Sequence, residues 1–281
     1  MPEEQRKATD YKSNVKPIWC PGCGNYAVLT ALMRAFAHLE LSHENITIAS
    51  GIGCSSRFPA FVKTYGIHGI HGRALPLATG IKLGRPETTV IAIGGDGDGF
   101  SIGGGHIPHA ARRNVDITYI VMDNNIYGMT KGQPSPTSPQ GIVNKAAPYG
   151  AQEHPLNPIL LALSYDSSFV ARCFSGKVKE MADVFIQALQ HPGFSLIQVL
   201  SPCVTYYNTY DHYREVTQPL PEGHDASDRL AAIALALETQ TQYLGIFYRD
   251  ANRPSYVERF ESVRARAPKT TLNAIFAGLK R

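Results

Sequence analysis

Two turns, each closing an apolar run, constrain this fold more than any other feature of the chain. Residues 89–93 lead into Gly94-Gly95-Asp96-Gly97-Asp98-Gly99, and residues 117–122 lead into Asp123-Asn124-Asn125-Ile126-Tyr127-Gly128. Short, β-branched apolar runs of this kind read as strands buried on both faces, the mark of a parallel sheet. Residues 101–114 between them are long enough for a crossover helix. Both turns therefore fall at the carboxyl ends of strands in one sheet, where open α/β folds bind their ligands.

The residues in these turns select a chemistry. Asp96 offers a carboxylate and Asn124 an amide oxygen, both hard donors suited to Mg²⁺. The glycines let backbone N–H groups approach an anion closely. A divalent cation beside such a cradle implies a diphosphate, and the ordered pair of turns resembles the thiamine-diphosphate signature. The competing reading is two ordinary strand–helix turns that hold Asp and Asn by chance.

Composition sets outer bounds. The 281 residues are 43% hydrophobic and 18% charged, enough apolar material for a large core. The formal charge is only +4, and the blocks Arg112-Arg113 and Lys280-Arg281 are too short to argue for nucleic acid. The polar N-terminal residues 1–16 lack the apolar centre of a signal peptide, and no run is long enough to span a bilayer. A cytoplasmic protein is expected, in which five cysteines suggest metal or redox work before structural disulfides.

Four of those cysteines sit at turns. Cys20 and Cys23 lie in a tight loop, Trp19-Cys20-Pro21-Gly22-Cys23-Gly24, before a helix expected over residues 26–39 with Asn25 as its cap. That helix terminus is expected to favour thiolate. Cys54 follows a strand at 46–50, and Cys203 follows one at 195–200. Four sulfurs at one sheet edge fit iron–sulfur or zinc, and Cys20 and Cys23 alone fit a dithiol redox pair. Cys173 reads as a buried small apolar residue in a strand over 168–174.

The remaining chain continues the alternation of strand and helix to about residue 203. A helix begins near Pro76, another covers 158–163 and another 177–189, while residues 132–139 form a Pro/Ser/Thr loop. One long helix is expected over 228–244. The pattern predicts an α/β fold with a doubly wound parallel sheet over residues 1–218, followed by a helical C-terminal extension over 219–281.

Taken in order, Trp-Cys-Pro-Gly-Cys-Gly, Gly-Ile-Gly-Cys-Ser-Ser-Arg-Phe, His-Gly-Arg-Ala-Leu-Pro, Gly-Gly-Asp-Gly-Asp-Gly and Asp-Asn-Asn-Ile-Tyr-Gly-Met-Thr-Lys-Gly-Gln resemble the β subunit of 2-oxoacid:ferredoxin oxidoreductases. The resemblance implies that Cys20, Cys23, Cys54 and Cys203 hold a 4Fe-4S cluster. It implies Mg²⁺ ligation by Asp96, Asn124 and the carbonyl of Ile126. Thiamine diphosphate would lie against Ile52, Gly53, Cys54, Ser55, His71, Gly97, Asp98, Gly128 and Met129. Arg57, His71 and Lys131 take the catalytic roles, with Arg57 and Lys131 facing the 2-oxoacid or coenzyme A.

The implied reaction is coenzyme A-dependent oxidative decarboxylation of a 2-oxoacid with release of CO₂, or the reverse carboxylation, with single electrons passed through the cluster to ferredoxin. The 2-oxoglutarate branch is favoured, and pyruvate is the alternative. Thiamine enzymes also need a carboxylate, usually Glu, on the pyrimidine side, and usually a second α/β module. This chain has one module, so an α subunit is expected to supply both, in an αβ or (αβ)₂ assembly. The rival readings are an iron–sulfur electron-transfer subunit without catalysis, a nucleotide-binding module with zinc, and a thiamine enzyme without redox work.

Overall fold

The computed structural model describes residues 6–267 and 270–279; Lys280-Arg281 and the first five residues, noted above, lie outside them. In chain order, α1 (Asn25–His38) leads to β1 (Ile46–Ser50), β2 (Tyr65–His68) and α2 (Ala74–Gly84). Then come β3 (Thr89–Gly95), α3 (Ile107–Arg113), β4 (Ile117–Asp123) and the short pair β5 (Ile126–Tyr127) and β6 (Gln133–Pro134). The series continues with α4 (Pro158–Ser164), β7 (Phe169–Phe174), α5 (Val178–Leu189), β8 (Phe194–Leu200), α6 (Tyr210–Val216) and β9 (Thr217–Pro219). It ends with α7 (Arg229–Ala236), β10 (Gln242–Arg249), α8 (Tyr256–Arg266) and α9 (Leu272–Leu279).

Eight strands form one sheet in the order β2-β1-β3-β4-β8-β7-β10-β9. Every pair is parallel except β7 with β10. The expected doubly wound α/β fold is borne out, and alternating side chains show why the runs are apolar throughout. Ile91, Ile93, Ile120 and Met122 face one core with α1 and α5. Ala92 and Val121 face the other with α2, α3, α4 and α7. Both faces are covered, so neither can be polar.

Three local expectations are corrected. Residues 228–244 are not one helix: Asp228 caps α7 by accepting from the amides of Leu230 and Ala231, the helix stops at Ala236, and β10 begins at Gln242. The aromatic and β-branched run Tyr243-Leu244-Gly245-Ile246-Phe247-Tyr248 pairs with β7 and buries Phe247, so the C-terminal segment extends the sheet as well as adding helices. The crossover helix starts late, at Ile107, because a wide turn over Gly97–Ile102 and the Gly103-Gly104-Gly105 run precede it. Finally, Asn25 does not cap α1; it lies inside the helix and its side-chain oxygen accepts from Ser201 Oγ at 3.0 Å.

Candidate active site

The strand order brings the carboxyl ends of β1, β3, β4 and β8 side by side. Cys54, Asp96, Asn124 and Cys203 each follow one of those ends. Between them opens a cavity of about 480 Å³. Its wall includes Asp96, Asn124 and Ile126, and also Ile52, Gly53, Cys54, Ser55, His71, Gly97, Asp98, Gly128 and Met129. Every residue assigned above to thiamine diphosphate or Mg²⁺ therefore reaches one cavity. Arg57 and Lys131 stand outside that wall. Lys131 is exposed and held at φ +77°, a left-handed conformation unusual for a residue with a β-carbon.

Asp96 is 2% exposed. One of its oxygens, Oδ2, accepts from Ser135 Oγ and from Thr137 Oγ1 at 3.0 Å. Among the described residues no hydrogen bond reaches the other oxygen. Burial first, and then the neighbouring Asp123 carboxylate, push the Asp96 carboxyl up to about 7. The Thr137 hydroxyl also lies 2.7 Å from Asp123 Oδ1. A single hydroxyl hydrogen serves one carboxylate at a time, so the second contact needs a proton on one of the acids.

Asp98 works beneath the cavity. Its Oδ1 accepts from the amides of Ile52 at 2.8 Å and Gly72 at 2.7 Å, and His71 Nδ1 lies 3.1 Å away. This ties the β1 turn and the His71 turn to the β3 turn. Its Oδ2 is buried without a partner, and a β-carbon on Gly51 would come within 2.0 Å of it. Gly97 is similarly obligatory: a β-carbon there would strike the Tyr127 ring at 2.2 Å, and Tyr127 Oη donates to the Gly97 carbonyl at 3.2 Å. A glycine cradle, a carboxylate oxygen without a partner and an amide oxygen on facing turns fit a magnesium diphosphate.

Cys54 lines the same cavity, and Cys20, Cys23 and Cys203 lie close enough to interact with it. The indole of Trp19, 7% exposed, donates to the Cys54 carbonyl at 2.6 Å and packs on Phe61. Gly22, at φ +83°, turns the loop so that its carbonyl accepts from Tyr210 Oη at 3.2 Å. The Gly24 amide donates to the Pro202 carbonyl at 3.4 Å. These ties draw the Cys20–Cys23 loop against both Cys54 and Cys203. Cys23 is close enough to Cys203, Cys54 and Cys20 to feel their charge. At Cys23, burial outweighs the Asn25 amide at the helix start and pushes the thiol up to about 11, against the thiolate expected there. Burial and then Cys203 also raise Cys54, against Arg57, which lowers it.

Among the described residues no group of three or more His, Cys, Asp or Glu side chains closes on a single metal ion. Four thiols on neighbouring loops are nonetheless the soft donor set that an iron–sulfur cluster would take. Cys173 is buried in β7, apart from them.

Reasoning from the sequence missed Ser135 and Thr137, because the Gln-Pro-Ser-Pro-Thr-Ser-Pro segment reads only as a loop. Its hydroxyls are what hold Asp96, and its first two residues form β6 against β5. Three hydroxyls interleaved with prolines were the available signal: a rigid backbone aiming polar groups.

Comparison with known proteins gives the same assignment. Residues 51–199 match the family described as thiamine pyrophosphate enzyme, C-terminal TPP binding domain. Residues 203–265 match the family described as the C terminal of the pyruvate ferredoxin oxidoreductase beta chain. The 2-oxoglutarate oxidoreductase subunit KorB of Mycobacterium tuberculosis is 45% identical over 201 residues, 72% of this chain. The chain spans about half of that relative's length, 54%. Subunit beta of 2-oxoacid:ferredoxin oxidoreductase 1 of Aeropyrum pernix is 39% identical over 90% of this chain and 84% of its own length. The solved 2-oxoglutarate:ferredoxin oxidoreductase from Magnetococcus marinus, with 2-oxoglutarate, coenzyme A and succinyl-CoA bound, superposes with a TM-score of 0.95 at 43% identity. It covers 99% of this chain, and this chain covers 97% of it. With its glycine-cradled Asp96 and its neighbouring thiols, this chain belongs to the β subunits of the 2-oxoacid:ferredoxin oxidoreductases.

Proposed function

We propose that the chain is the thiamine-diphosphate-binding subunit of a cytoplasmic 2-oxoacid:ferredoxin oxidoreductase that converts 2-oxoglutarate and coenzyme A to succinyl-CoA and CO₂, or runs the reverse carboxylation. The observation that carries this reading is the position of Cys54. It lines the cavity and also belongs to the group of thiols around Cys23. A path for electrons from the cavity to the surface is then as short as one side chain. When bound, thiamine diphosphate supplies the electron sink for decarboxylation and a 4Fe-4S cluster supplies single-electron uptake.

The chain's own residues bind and orient. Asp96, Asn124 and the Ile126 carbonyl would hold Mg²⁺, with Ser135 and Thr137 fixing the Asp96 carboxylate. Asp98 locks the Ile52 and Gly72 amides and orients His71 toward the cavity. Cys20, Cys23, Cys54 and Cys203 would hold the cluster. Arg57 and Lys131, which lie outside the cavity wall, would meet carboxylate or phosphate oxygens of the substrates. No glutamate lines the cavity among the described residues. That supports a requirement for an α subunit, which would bring the pyrimidine side, in an αβ or (αβ)₂ assembly that passes electrons to ferredoxin.

The test is turnover of a panel of 2-oxoacids by the complex co-expressed with its α subunit, using coenzyme A and a low-potential dye. 2-Oxoglutarate should give the highest kcat/KM and succinyl-CoA as product, and the single chain should be inactive. Faster turnover of pyruvate would move the assignment to that branch. A complex that holds iron and sulfide but retains no thiamine diphosphate would make this an electron-transfer subunit.

A further inference from the structure

A line of buried polar side chains runs from Asp96 away from that cavity and across the sheet, where Thr137, Asp123, Gln198 and Arg172 line a second cavity of about 360 Å³. Arg172 on β7 and Gln198 on β8 are direct neighbours in the ladder. Arg172 is 5% exposed and its guanidinium lies 5.4 Å from the centre of the Phe247 ring. Its Nε donates to Gln198 Oε1 at 2.8 Å, and Gln198 Nε2 donates to Asp123 Oδ2 at 2.7 Å. The other Asp123 oxygen accepts from the Asn125 amide at 3.1 Å and Asn125 Nδ2 at 3.2 Å, and Thr137 Oγ1 lies 2.7 Å from it.

We propose that Arg172 is a positioning residue for the divalent-cation site, acting through Gln198 and Asp123 on the turns that carry Asn124 and Asp96. This rests on the reading of the cavity as a magnesium diphosphate site. A guanidinium can only donate, so it fixes which end of the Gln198 amide faces it. The amide's NH₂ must then face Asp123. The cation also balances a buried carboxylate that would otherwise stand unpaired. Held in this way, Asp123 grips both ends of the site. Through Asn125, at φ +57°, it sets the turn that presents the Asn124 oxygen and the Ile126 carbonyl. Through Thr137 it sets the hydroxyl that aims Asp96. Without Arg172, Gln198 is free to turn its oxygen toward Asp123, and both turns lose their anchor.

The experiment uses the complex with its α subunit, stripped by chelator and then titrated with Mg²⁺ at fixed thiamine diphosphate, with cofactor retention measured by calorimetry. In Arg172→Met the Mg²⁺ concentration for half-maximal retention should rise about 10- to 100-fold, the usual cost of losing a group that orients metal ligands. Gln198→Met should move it the same way, and Arg172→Lys, which keeps the charge, should recover part of the loss. Iron and sulfide content should be unchanged in all three. An unchanged Mg²⁺ requirement in Arg172→Met, or a Lys variant no better than Met, overturns the proposal. Should Arg172→Met fail to accumulate, Gln198→Met decides: an unchanged requirement there overturns it equally. A wild-type complex with no Mg²⁺-dependent retention would instead sink the reading of the cavity itself.

Discussion

The two ends of the cavity are built by opposite methods. At the Asp96 end, side chains hold side chains: Ser135, Thr137, Asp123 and Gln198 form a buried hydrogen-bonded set. At the cysteine end the ties end on backbone carbonyls: the Trp19 indole, the Tyr210 hydroxyl and the Gly24 amide each hold a loop carbonyl, while the thiols themselves remain free. On the proposed reading, the first arrangement would settle ligand geometry before an ion arrives, and the second would settle where the loops lie and leave the sulfurs to a cluster. Both are economical for their chemistry. A magnesium ion dehydrates reluctantly and demands near-ideal geometry, whereas thiolates on short loops can adjust to a cluster.

The contrast breaks most sharply in a crossed pair of variants. Asp96→Asn should lose Mg²⁺-dependent thiamine diphosphate retention while the complex keeps its iron and acid-labile sulfide. Cys23→Ser should lose most iron and sulfide while retaining thiamine diphosphate. Metal and cofactor analysis of both purified complexes decides it, and joint loss of both groups in either variant would mean that the two ends fold as one unit. A smaller effect sharpens the preformed character of the first end. Thr137→Val deletes the hydroxyl between two buried carboxylates. It should weaken Mg²⁺ affinity about 10-fold or more and lower unfolding stability by about 1–3 kcal/mol, read by metal titration and denaturant unfolding.

The smallest effect lies away from both ends and serves as a control. His191 is buried, with Nε2 2.7 Å from Ser168 Oγ, and burial followed by Arg249 holds it down at about 4. A histidine depressed on folding contributes stability that is present above its unfolded value of 6.5 and lost as pH falls toward about 4. Unfolding measured from pH 7 to 4 should therefore show a loss of roughly 2 kcal/mol that is flattened in His191→Gln, without change in metal or sulfide content at neutral pH.

Much of this was legible in the sequence because parallel sheets write their burial plainly. Runs such as Val90-Ile91-Ala92-Ile93 have only one way to satisfy both faces. The turns at their ends could be placed at one edge by topology alone, and with them Asp96, Asn124, Cys54 and Cys203. What escaped were interactions between segments far apart in sequence. Arg172 and Gln198 each sit in an apolar strand, and nothing local says that they point at Asp123. Ser135 and Thr137 gain meaning only where their loop folds back over Asp96. The helix expected over 228–244 failed for a related reason: Gln242–Arg249 carries mixed periodicity, and the free edge of β7 decided in favour of a strand.

The chain holds one tryptophan, and its ring is hydrogen-bonded to the backbone of Cys54. A fluorophore thus lies against the backbone of Cys54, which lines the cavity. If the proposed cluster forms on Cys54, light emitted by Trp19 should be quenched when iron is bound and recover when iron leaves. Cofactor loading of this subunit can then be followed optically with no label attached.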